Sequence, residues 1–68
     1  MKILEAAHVS VDLDEATRQL ELAIHDAQVA YDSIGLGNLD WAHTNAITAR
    51  AEAAAAEAIL RAALVVDQ

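Results

Sequence analysis

Apolar residues recur along the chain at alternating steps of three and four. Over one stretch they fall at Leu13, Ala16, Leu20, Ala23, Ala27, Ala30 and Ile34, and over a second at Leu39, Ala42, Ala46, Ala49, Ala53, Ala56, Leu60 and Ala63. That is a heptad repeat, which keeps one stripe of each helix turned toward a partner. Between the stretches lies Ile34-Gly35-Leu36-Gly37-Asn38, which holds both glycines of the chain. Glycine favours the position just past a helix, and asparagine favours the cap before the next one. The pattern therefore predicts a helix over 12–34, a corner at 35–38 and a helix over 39–65, each helix about 32 to 39 Å long at 1.5 Å per residue. So short a corner makes the helices antiparallel neighbours.

Asp12 is the predicted cap of the first helix, with Asp14 as the alternative; Glu15, three residues on, completes the spacing of a capping box. Asp12-Leu13-Asp14-Glu15-Ala16 is echoed 26 residues later by Asn38-Leu39-Asp40-Trp41-Ala42. Shared cap chemistry accounts for so short an echo as well as duplication does. With Ala dominating both stripes, the two backbones are expected near the lower end of the 8–10 Å range for packed helices. This arrangement resembles an Ala-rich, close-packed antiparallel coiled coil. The same stripe could instead join two chains, with the helices continuing straight through Gly35 and Gly37.

Residues 1–11 read differently. Val9-Ser10-Val11 alternates like a strand, whereas Leu4 to Ala7 suit a helical turn. The reading is a short extended N-terminal arm, with a short extra helix as the alternative, ahead of a helical hairpin over 12–68 that forms a single domain.

Composition then bears on assembly. The chain has 68 residues, 56% of them hydrophobic, but 17 of the hydrophobic residues are Ala. Burial at about 25 cal/mol per Å² against roughly 1.5 kcal/mol of entropy per ordered residue leaves such a domain near zero net stability. Self-association is the expected remedy. Leu22, Ile24, Val29, Ile47 and Ile59 fall off the Ala stripe, so they are the expected dimer interface of a four-helix arrangement built from two hairpins. The fold class expected is all-α.

A net charge of −7, from 11 acidic and 4 basic residues, disfavours phosphate backbones and anionic lipid. It favours encounter with basic proteins. No run is long and apolar enough for a membrane span, and the N-terminus lacks the apolar core of a signal peptide, so a cytoplasmic location is expected.

Candidate chemistry is sparse. With no Cys, disulfides and thiolate metal sites are out. Glu21 and His25 have the spacing of two metal ligands, and Asp26, His8 or His43 could supply a third, but a solvated pair is the simpler reading. Ser10 and Ser33 lack the surroundings of a nucleophile, and the carboxylates Asp12 and Asp14 are accounted for by capping. No enzyme activity, cofactor or metal is expected. Glu57 with Arg61 and Asp14 with Arg18 are expected ion pairs on exposed helix faces. Tyr31, Leu36 and Trp41 gather aromatic and aliphatic groups near the corner, with Asp26, Asp32 and Asp40 close by, and together they form the candidate partner-binding set.

The function these features suggest is a small acidic interaction module that binds and inhibits or regulates another protein. One such partner is a DNA-binding transcription regulator whose basic surface it would cover, by analogy with a bacterial or phage accessory regulator. The alternatives are a structural, assembly or chaperone-like helical hairpin and, more remotely, a metal or small-ligand binder.

Overall fold

The structure is a computed structural model, and it describes residues 12–67, with side chains to residue 65. The N-terminal arm expected over 1–11 lies outside the described residues. Two helices, α1 (Leu13–Gly35) and α2 (Leu39–Asp67), pack against each other as a hairpin.

α1 begins where expected for a capped helix. The Asp12 side chain accepts a hydrogen bond from the Glu15 amide at 3.0 Å, satisfying one of the donors that a helix start leaves bare. The reciprocal half of the capping box does not form. Glu15 turns its carboxylate along the helix to Arg18, at 2.6 Å, and to Gln19, at 2.8 Å. The cation expected for Asp14 is thus taken by Glu15, because a guanidinium fork meets the carboxylate three residues back with both arms.

The corner is tight and fully bonded. The Asn38 amide donates to the Ser33 carbonyl at 2.9 Å, and the Gly37 amide to the Ile34 carbonyl at 3.0 Å. This is the Schellman closure of a helix end, with Gly37 as its left-handed residue at φ 78°. Asn38 then caps α2, its side chain accepting from the Trp41 amide at 3.1 Å. One residue therefore both ends the first helix and starts the second. The chain reverses here, so the helices do not continue straight through the glycines.

Helix packing departs from the expected stripe by one column. Taking Leu13 and Leu39 as heptad position a of their helices, the buried residues Ala16, Ala23, Ala30, Ala42 and Ala56 occupy the d positions. They are joined by the g column: Ser33 is buried, and Gln19, Asp26, Asn45, Glu52 and Ile59 are half-buried. The a column, expected inside, is outside: Leu13, Leu20, Ala27, Ile34, Leu39, Ala46, Ala53 and Leu60 are all exposed. Methyl-sized d residues let the backbones come together, and beside them Gln19, Ser33 and Asn45 of the g column bond back to their own helices, so the hairpin closes along d and g. No large side chain is fully buried among the described residues.

Candidate functional site

In a heptad helix the a and e columns lie next to d on the side away from g. Because the two helices are antiparallel, both helices turn their a and e columns to the same broad side of the hairpin. On α1 that side carries Leu13, Leu20, Ile24, Tyr31 and Ile34, and on α2 it carries Leu39, Leu60 and Leu64, every one of them exposed. Their exposure runs from 40% at Leu20 to 74% at Tyr31.

Along the middle of this face runs an open groove of about 620 Å³. Leu20, Ala23, Ile24, Ala27, Ala30, Tyr31 and Ile34 line it from α1, and Ala46, Ala49, Arg50 and Ala53 from α2. Its floor is alanine and its α1 wall is made of Leu20, Ile24, Tyr31 and Ile34. The cross-section of the molecule is only 16 by 13 Å, a single layer of two helices, so nothing within the described hairpin covers the face. A stable domain ordinarily packs at least two such layers over one core.

Charge is distributed unevenly around the hairpin. Asp14, Glu21, Asp32 and Asp40 are exposed and lie off the groove lining, whose one charged residue is Arg50. Arg18 and Arg61 are engaged by Glu15 and Glu57, at 2.6 and 3.0 Å. The pairing lowers the Glu15 carboxyl to about 2, chiefly through hydrogen bonds from Arg18 and then Gln19, and raises both guanidinium groups. The Glu57–Arg61 pair has the i,i+4 spacing read from the sequence.

The partner-binding set read from the sequence is placed as follows. Tyr31 lines the groove; Leu36, at 84% exposure, projects from the corner, and Trp41, half exposed, stands in the first turn of α2. Asp32 and Asp40 are exposed, and Asp32 is held by the Gln28 amide at 2.9 Å. Asp26 is drawn into the seam, half-buried, and so leaves the free acidic surface. Of the five residues expected at a dimer interface, Ile24 lines the groove, Ile59 packs in the seam, and Leu22, Val29 and Ile47 lie on other columns. Leu20, Ala27, Ile34, Ala46 and Ala53, which the sequence pattern places inside, are exposed and line the groove. On α1, where Ile24 and Tyr31 widen the apolar stripe from a and d into e, that width was the available signal that one pairing would not use it all.

Among the described residues there is no group of three or more His, Cys, Asp and Glu side chains placed to hold a metal. His25 and Glu21 form no ion pair there. No helix among the described residues is long and apolar enough to cross a membrane. No protein-family model matches the chain, and no curated protein or solved structure matches it.

Proposed function

We propose that this chain is a non-catalytic protein-interaction module in which two hairpins pair through their apolar faces into a four-helix dimer. The outer acidic surface then binds a basic partner protein in the cytoplasm and regulates it. The observation that carries the reading is the contrast between seam and face. Burying a methyl group is worth about 0.8 kcal/mol, and burying a Leu or Ile side chain about 1.5–3 kcal/mol. The seam collects five alanines, whereas eight large side chains stand exposed on the face. Most of the stabilisation the sequence can supply is therefore reached only when the face is covered.

A second copy is the occupant we assign to it. The face is about 35 Å long, from 23 helical residues at 1.5 Å each, and 16 Å wide. Its footprint is of the order of the roughly 800 Å² per partner found in stable dimers. A largely uncharged groove suits a like surface better than a basic one, while Glu21, Asp32 and Asp40 remain outside for a cationic partner. A basic nucleic-acid-binding regulator, displaced from its own ligand by these carboxylates, is the partner class that this charge fits.

Sedimentation equilibrium tests the assembly: the expected mass is twice the 7.2 kDa chain, and Ile24→Glu is expected to return it to the chain mass. Binding to a basic DNA-binding domain tests the regulatory role, with salt sensitivity and weakening by Glu21→Lys with Asp32→Lys expected. Salt-resistant binding of an amphipathic helix, lost in Ile24→Glu, with a monomeric free protein, would instead support the assembly-hairpin reading that the openness of the groove favours.

A further inference from the structure

The side of the seam away from the apolar face is polar apart from Ile59, and Gln19, Ser33 and Asn45 are satisfied there on their own helices. Gln19 Nε2 donates to Glu15 Oε2 at 2.8 Å, Ser33 Oγ to the Val29 carbonyl at 2.7 Å, and Asn45 Nδ2 to the Trp41 carbonyl at 2.9 Å. Asp26 and Glu52 have no such option when ionised, since a carboxylate has acceptors and no donor. They are both half-buried, on opposite helices in the g column that closes the seam, and Asp26 is the neighbouring acid that acts on Glu52. The alanine column of the d positions runs beside them. Glu52 Oε1 is sealed from solvent and has no hydrogen-bond partner among the described residues.

Two adjoining negative charges and a bare, buried acceptor are each unfavourable. One proton placed on Glu52 Oε1 relieves the repulsion and turns that bare acceptor into the donor that the Asp26 carboxylate lacks. We propose that the folded hairpin keeps a proton on Glu52 and donates it to Asp26, so that closure of the hairpin is linked to proton uptake in mildly acidic solution.

The surrounding charges are consistent with this. Burial and Asp26 push the Glu52 carboxyl up, and His25, the other titratable group acting on it from α1, pulls it down less strongly. On α2 itself, Arg50 lies in the groove lining. A carboxyl raised on folding stabilises the folded state below its unfolded value, and that stability is lost as pH rises through the raised value. The proposal does not depend on what covers the apolar face.

General self-repulsion in a chain of charge −7 would also ease in acid, so the experiment must separate the pair from the background. Side-chain carboxyl titration of the full chain by ¹³C NMR is expected to give Glu52 a midpoint above that of Glu21, and Asp26→Asn to bring it back toward Glu21. Thermal unfolding between about pH 8 and about pH 5 is expected to show a rising Tm in the wild type and in Glu21→Gln, and a much flatter profile in Glu52→Gln. The proposal is overturned if Glu52 titrates together with Glu21, or if Glu52→Gln and Glu21→Gln keep the same pH slope. The NMR readout holds even for a variant of altered stability.

Discussion

Gly35 and Gly37 are two residues apart, yet a methyl group at each has the opposite effect. Gly37 is left-handed, at φ 78°, where an L side chain costs roughly 1–2 kcal/mol; Gly37→Ala is expected to lower stability by about that amount in chemical denaturation. Gly35 closes α1, and a Cβ there meets nothing within 4 Å. Gly35→Ala should therefore stabilise by about 0.5–1 kcal/mol through the lost freedom of the unfolded chain. Asn38 carries two duties, receiving one helix and capping the next. Its replacement by Ala removes the cap bond, and a loss of about 1 kcal/mol is expected. Glu15 and Glu52 respond oppositely to acid. The lowered Glu15 contributes stability above the ordinary carboxylate value and loses it as pH falls toward about 2. Melting curves should thus improve from neutral toward mildly acidic pH and then worsen, with the acid-side loss blunted in Arg18→Gln.

At the scale of the helices, the alanines divide into two populations that share a heptad repeat. Ala56 is fully buried in the seam, whereas Ala53, one turn earlier, is exposed in the groove lining. Enlarging a packed position forces the backbones apart at about 1–3 kcal/mol, so Ala56→Leu is expected to destabilise the hairpin by that much in denaturant titrations. Ala53→Leu should leave the seam unstrained and change only contacts made on the apolar face. Equal losses from the two variants would contradict the d and g pairing. The helices themselves need little tertiary help to form locally. The run Ala51 to Ala58 contains only Ala and Glu, which are among the strongest helix formers.

For the molecule as a whole, the decisive feature is a single layer of two helices with one apolar side. If a second copy covers that side, unfolding couples to association and Tm rises with protein concentration. We expect this dependence in the wild type and its loss in the double variant Ile24→Glu with Tyr31→Glu, read by calorimetry over a concentration series. A dimer closed by apolar burial is expected to survive high salt. The same salt should weaken capture of a basic partner by the exposed carboxylates.

The two helices, their caps and the corner between them were legible in the sequence because each is written in local signals: Asp12, the paired glycines, Asn38, and uninterrupted runs of helix formers. The Glu57–Arg61 pair was legible for the same reason, since i,i+4 neighbours on a helix need no tertiary information. What the linear pattern could not assign was which two of three adjacent columns the hairpin would close upon. Leu20, Ala27 and Ile34 are as apolar as Ala23 and Ala30, and hydropathy alone ranks them as core. Closure instead follows size and reach: methyl-sized d residues admit the opposite backbone, and Gln19, Ser33 and Asn45 tuck beside them by bonding to their own helices. That choice, made only when the two helices meet, moved the large side chains onto the open face and brought Asp26 against Glu52.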